Sequence, residues 1–155
     1  MTVVATLALV VTISAWIPSA AHPAGLSQSP EPFVCSVTHS DTGFYGNGAL
    51  ETMLPPNGRL LVGPGGRGEV LDDGRLSVEW KWQRKVMGPL SVAGVRYDVF
   101  SPLLDSRIPN DDGAVGPVTS RLIFSAPGCW QITGRVGLNR LTFMVVVEVV
   151  ARVRQ

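Results

Sequence analysis

The sequence predicts an all-β sandwich. Three observations lead there. Glycine (17) and proline (12) are abundant and scattered along the 155 residues, which favours many turns over long helices. Short runs with two-residue alternation recur, separated by turn chemistry. No stretch beyond the N-terminal apolar run shows a helical period of 3.6. The length suits one domain. A net charge of +1 supplies no global field that would draw in nucleic acid or an acidic membrane.

The N-terminus predicts export. Val3 to Ile17 is a nearly unbroken apolar run, followed by Pro18-Ser19-Ala20-Ala21. Small residues at 19 and 21 fit a signal-peptidase site after Ala21, giving a signal peptide over 1–21. No Lys or Arg precedes the run. The alternative is an uncleaved anchor, for which the run is short against the roughly 20 residues a span needs. No Cys follows directly, so a lipid-anchored Cys is not expected. His22 to Pro32 reads as a flexible leader, with three Pro, two Ser and no apolar period. The sandwich is expected over 33–155, outside the cell or on its surface, with no membrane insertion once the signal is removed.

The strands follow in order. Phe33 to Thr38 reads as a short strand, and Gly43 to Gly48 as a glycine-rich turn ahead of Ala49 to Leu54. Pro55-Pro56-Asn57-Gly58 is a turn, Arg59 to Val62 a strand, and Gly63 to Gly68 a loop. Asp72-Asp73-Gly74 opens the cleanest strand. Leu76, Val78, Trp80 and Trp82 alternate with Ser77, Glu79, Lys81 and Gln83, which places the first set in the core and the second in water. Leu90 and Val92 start one phase, and Val95, Tyr97 and Val99 continue in the other, so Gly94 is expected to be a β-bulge. Leu103 to Pro117 reads as irregular. Thr119 to Phe124, Cys129 to Val136 and Leu141 to Val150 complete the set, the last two joined by a turn at Gly137 to Arg140. In the last strand Leu141, Phe143, Val145, Val147 and Val149 share one face. Met144, Val146 and Val150 are apolar on the other. A strand apolar on both faces is either covered or meets a partner. Coverage by Leu103–Pro117 is the expectation.

Two cysteines remain, Cys35 and Cys129. In an exported chain a lone pair reads first as a disulfide, the alternative being two buried thiols. Trp130, Ile132 and Val136 share a parity, and Cys129 has the opposite one. Cys129 is therefore expected at the strand's entrance or on its outer face, as a peripheral clamp.

Ala126-Pro127-Gly128-Cys129-Trp130-Gln131-Ile132-Thr133-Gly134 resembles the entry to the penultimate strand of bacterial immunoglobulin-like modules. The resemblance implies an immunoglobulin-like antiparallel β-sandwich of about seven to nine strands, in which Trp130 caps a corner and Ile132 enters the core. The longer run is similar to a group of uncharacterised secreted bacterial proteins with a C-terminal Pro-Gly-Cys-Trp hairpin. It shares Tyr45-Gly46-Asn47-Gly48-Ala49-Leu50, Leu54-Pro55-Pro56-Asn57-Gly58, the Trp80/Trp82 strand, and Leu141-Thr142-Phe143. Glu51 departs from that pattern, where an apolar or aromatic residue is expected. The likeness spans roughly 44–150 and implies a fold and an exported location, and no activity. Trp80, Trp82, Trp130, Ile132 and Phe143 are the expected core anchors.

No motif carries a catalytic or cofactor reading. Gly63-Pro64-Gly65-Gly66-Arg67-Gly68 matches G-x-G-x-x-G, but a dinucleotide site needs a helix to follow, and Glu69 to Gly74 soon turns. Asn110-Asp111-Asp112-Gly113 lacks the EF-hand spacing and its closing Glu, and such turns arise locally. His39-Ser40-Asp41 are adjacent, whereas a triad converges from separate elements. No metal, cofactor or enzyme activity is expected. The surface candidates are the loop aromatics Phe44 and Tyr45, a basic patch of Lys81, Arg84 and Lys85, and Met144 with Val146 on the last strand. The expected function is a non-enzymatic binding module of the envelope or extracellular space, with a protein or glycan partner. The alternatives are an assembly subunit docking through the last strand, and a small hydrolase or inhibitor.

Overall fold

Turn residues and alternating runs divide the described residues into ten strands: β1 (Phe44–Gly46), β2 (Leu50–Met53), β3 (Arg59–Val62), β4 (Glu69–Val70), β5 (Leu76–Arg84), β6 (Leu90–Arg96), β7 (Asp105–Arg107), β8 (Gly116–Phe124), β9 (Gly128–Val136) and β10 (Asn139–Val149). The computed structural model describes residues 33–109 and 111–150. The expected signal peptide (1–21) and leader (22–32) lie outside the described residues.

The strands form two sheets. The first runs β1-β2-β5-β8-β7, with β4 also pairing β5; the second runs β3-β10-β9-β6. Taking β2 as the opening strand, the first sheet has the order first, second, fifth, fourth of an immunoglobulin domain. The second carries its third, sixth and seventh as β6, β9 and β10. The opening strand is divided, because β3 leaves the first sheet and pairs β10 in parallel; the other pairings are antiparallel. The fold is thus an immunoglobulin-like sandwich, with ten strands rather than seven to nine and one parallel pair.

The core lies between the sheets. Trp82, Trp130, Phe124, Phe143 and Ile132 are fully buried there, and Trp80 nearly so. Phe143 from the second sheet meets Trp80 at 5.4 Å and Trp82 at 5.8 Å, measured between ring centroids. Such pairs add about 1 kcal/mol each beyond the area they bury. Each buried indole N–H has a partner: Trp80 donates to Thr52 Oγ1 at 2.7 Å and Trp82 to Ser120 Oγ at 2.9 Å. Trp130 donates to Ala126 O at 3.1 Å, which ties the corner before β9.

Several local expectations fail for identifiable reasons. Phe33 to Thr38 is not a strand. It is a strap that starts at Cys35, bonded to Cys129, and ends where Thr38 N donates to Met144 O at 3.0 Å and Thr38 Oγ1 accepts from Met144 N at 2.9 Å. Cys129 stands opposite Val146 in the β9–β10 ladder, so the strap crosses the outer face of β10 at Met144 and Val146. Both are half-buried. The cover over β10 is this strap and not Leu103–Pro117. That segment instead holds β7 and the start of β8, and it guards the free edge of β6: Leu104 N donates to Gly94 O at 3.0 Å and Ser106 Oγ to Val92 O. Gly94 is not a bulge. β6 pairs β9 without interruption through it. A glycine is needed there because a Cβ would fall 2.9 Å from Leu104 Cδ2 and 3.1 Å from Gln131 O. Val95 and Tyr97 therefore point outward and are exposed. Gly43–Gly48 contains strand β1, and Ser77, expected in water, is buried beside β4.

Candidate functional site: a cleft at the gap in the first sheet

The β5 edge is covered at both ends and open between them. β2 pairs β5 as far as Thr52↔Trp82. β4 begins to pair only at Glu69↔Ser77. Odd-numbered residues of β5, and Lys85 just past its end, aim their backbone groups at this edge: Lys85 N donates to Ala49 O, and Lys81 O accepts from Thr52 Oγ1 at 2.8 Å. By the same alternation the N–H and C=O of Glu79 face the gap. Neither β2 nor β4 reaches them.

A cleft of about 690 Å³ opens at this gap, within the range of ligand sites. One lip is apolar. Phe44 and Met53 are register partners across β1 and β2, and both are more than two-fifths exposed. The opposite lip carries Arg67, whose backbone N–H holds Leu61 O at 2.7 Å. Glu79, Lys81 and Gln83 rise from the outer face of β5 between the lips. Arg67, Glu79 and Lys81 form no ion pair with any described residue, whereas Glu51 at the rim is held by Lys85 at 2.6 Å. The site thus combines an apolar lip, charges of both signs and an open backbone edge.

The surface residues nominated by sequence divide sharply. Phe44 and Lys81, from separate candidates, line this one cleft. Tyr45 turns the other way: its ring packs edge-on against Phe143 and its hydroxyl donates to Thr142 O at 3.2 Å. With Asn47 Nδ2, which donates to Arg140 O at 2.7 Å, it covers the half of β10 that β3 does not reach. Arg84 is not on the surface; it is 2% exposed. Its parity is that of Trp80 and Trp82, so it faces inward. It donates to Asp111 and to Gly88 O at 2.9 Å. Lys85 is exposed and neutralised by Glu51, and Met144 and Val146 lie under the strap. Met53, Arg67 and Glu79 were missed, although the parity of Glu79 with Lys81 was readable.

The Asp111 carboxylate also accepts from Leu90 N at 2.6 Å and Gly113 N at 3.0 Å. Burial works to raise its pKa. The Arg84 hydrogen bond, the two backbone donors and the arginine's charge outweigh that effect and hold it below the ordinary value of 3.8. Asp112 lies 3.5 Å from the same guanidinium. These acids serve Arg84, and among the described residues no group of three or more His, Cys, Asp or Glu is gathered to hold a metal. No helix among the described residues is long and apolar enough to cross a membrane.

No family model matches the chain. No curated protein matches it either. Among solved structures it is similar to the crystal structure of the S-layer protein SbsC domains 4 and 5, at 17% identity and a TM-score of 0.37, over 60% of this chain and 40% of that one. The match therefore spans less than half of that two-domain chain, and a likeness this loose carries no argument about ligand or role.

Proposed function

We propose that this chain is a non-catalytic binding module of the cell envelope or extracellular space, and that it seats an extended peptide segment in the cleft between β2 and β4. The observation that carries the reading is the open edge at Glu79, which offers one N–H and one C=O to a partner's main chain. Pairing to an exposed edge is a recurrent way of holding peptides. Phe44 and Met53 suit an apolar side chain of the ligand, and Arg67, Glu79 and Lys81 would select its charged neighbours. The Cys35–Cys129 disulfide is compatible with an oxidising, extracytoplasmic location. Docking through the last strand loses its support, because β10 is flanked by β3 and β9 and crossed by the strap.

The test is binding of the exported full chain to an array of short extended peptides and, in parallel, to immobilised glycans. Peptide binding is expected, weakened about tenfold, or 1.4 kcal/mol, by Met53→Ser and by Lys81→Ala. N-methylation of one backbone amide in the bound peptide should abolish it. Binding that ignores both variants would remove the cleft from the account. Binding to glycans alone would remove the peptide.

A further inference from the structure

A different part of the molecule carries a second surface, independent of the cleft. Two turns meet at one end of the sandwich. The β5–β6 turn holds Met87 and the β9–β10 turn holds Leu138, and a Cβ on Gly88 of the first would lie 3.2 Å from Val136 Cγ1 and 3.8 Å from Gly137 N of the second. Met87 is 80% exposed and Leu138 is 104% exposed. The fold does not require either side chain. Gly137, at φ 56°, supplies the positive φ of the two-residue turn, and the next position could hold any polar residue. The turns are also firmly held. Gly88 N donates to Gly113 O at 2.8 Å and Gly88 O accepts from Arg84, while the other turn closes the β9–β10 ladder at Val136↔Asn139. Two apolar side chains are thus projected into water from rigid supports.

The charge just behind them is equally unexplained by folding. Arg135 and Arg140 are register partners across β9 and β10. The carbonyl of Arg140 points away from β9, to Asn47, so this is the non-hydrogen-bonded kind of pair, in which side chains lie closest. Like charges placed so are destabilising. Both arginines are exposed, and neither meets an acid among the described residues. The acids at this end are engaged elsewhere: Asp111 and Asp112 with Arg84, Glu51 with Lys85.

We infer that this end of the sandwich is a docking surface for an anionic lipid membrane, with Met87 and Leu138 entering the interface and Arg135 and Arg140 binding lipid phosphates. Convex apolar points suit a fluid medium that closes around them, whereas a protein partner would need matching pockets. The positive pair meets the negative head groups of such a surface. No spanning segment is involved, since only turn tips enter.

Vesicle co-sedimentation of the exported full chain tests this, using phosphatidylcholine alone and phosphatidylcholine mixed with phosphatidylglycerol. Binding to the mixed vesicles is expected to exceed binding to the neutral ones, and to fall with salt. Met87→Ser with Leu138→Asn should remove that excess without lowering the melting temperature. Arg140→Gln should weaken it about fivefold, the worth of one basic residue at an anionic surface. Arg135→Glu separates the structural role from the binding role: it places an opposite charge across from Arg140, so the domain becomes more stable while the lipid excess disappears. An N-terminal apolar run left uncleaved binds both vesicle types and all variants alike, and cannot imitate these differences. Equal binding to both vesicle types by every variant overturns the inference. So does equal affinity for soluble glycerophosphoglycerol or for a polyglutamate peptide, which would mark the arginines as a simple anion site.

Discussion

The two outer faces of the sandwich are treated in opposite ways. On the second sheet, the apolar outer residues of β10 lie under the Cys35–Thr38 strap, fastened by the disulfide at one end and by Thr38 at the other. On the first sheet, Glu79, Lys81 and Gln83 stand in the open beside a gap in the hydrogen-bond ladder. Apolar residues on a second face therefore mark the place where this chain covers itself. The polar face with an unfinished edge is the face proposed to seat a peptide. Changes to the strapped face should cost stability, and changes to the open face should cost binding.

The strongest break in that contrast is removal of the strap's covalent anchor. The disulfide closes a loop with a sequence separation of 94. In the chain-entropy account, losing it costs about 4.7 kcal/mol. Cys35→Ser with Cys129→Ser should therefore lower the urea midpoint strongly and expose Met144 to oxidation. An unchanged midpoint would show that the strap rests on the sheet without holding it.

Next in size is the inward-facing cation of the open sheet. Arg84 and Lys81 lie three residues apart on β5, one buried and one in water. Asp111→Asn leaves the Arg84 guanidinium buried without a full counter-charge, a loss of about 3 kcal/mol at neutral pH. The effect depends on pH in a fixed direction. A carboxyl whose folded pKa lies below its unfolded value adds stability above the unfolded value and loses it as pH falls through the folded one. The Asp111 carboxyl is lowered from 3.8, so the gap between the two proteins is complete above that pH and closes below it. Urea titrations at neutral and strongly acid pH check this; a gap that is constant with pH would mean Asp111 acts by shape alone.

This pair also shows how far the chain could be read. Parity alone placed Trp80 and Trp82 in the core, because a strand buried on one face writes its register into every second residue. For Trp130 and Ile132 it added only a shared face, which the resemblance turned inward, with Cys129 on the opposite one, where it is buried too. The same rule assigns Arg84 to the core, but its charge suggested a surface patch, and burial is made tolerable by partners distant in sequence, Asp111 foremost, with Gly88 O and Asp112. Gly94 misled in a similar way. A phase change beside a glycine resembles a bulge, yet the glycine answers to Leu104, which arrives from another segment. The cleft was legible only in fragments. Phe44 and Lys81 were visible singly, while the gap that joins them depends on where β2 stops and β4 starts.

A smaller effect belongs to the other end of the strap. Thr38→Val removes the hydroxyl that accepts from Met144 N and leaves that N–H short of a partner, at a cost of about 1 kcal/mol. Amide hydrogen exchange should quicken at Met144 and remain slow at Phe143, whose side chain is in the core. Uniform protection in both proteins would show that water or a neighbour replaces the hydroxyl.

The smallest change in stability is expected on the open face, and there it is the most informative. Lys81 is exposed, belongs to no ion pair among the described residues, and stands on the outer side of a strand whose inner side is fully packed. Lys81→Ala should shift stability by less than about 0.5 kcal/mol, while the same substitution weakens any ligand held in the cleft. Calorimetric melting beside a binding titration separates the two quantities. A variant that melts early would make Lys81 part of the fold and erase the contrast between the faces. If it melts with the wild type and binds less well, the cost falls on the ligand alone, as an uncovered face with an unfinished ladder requires.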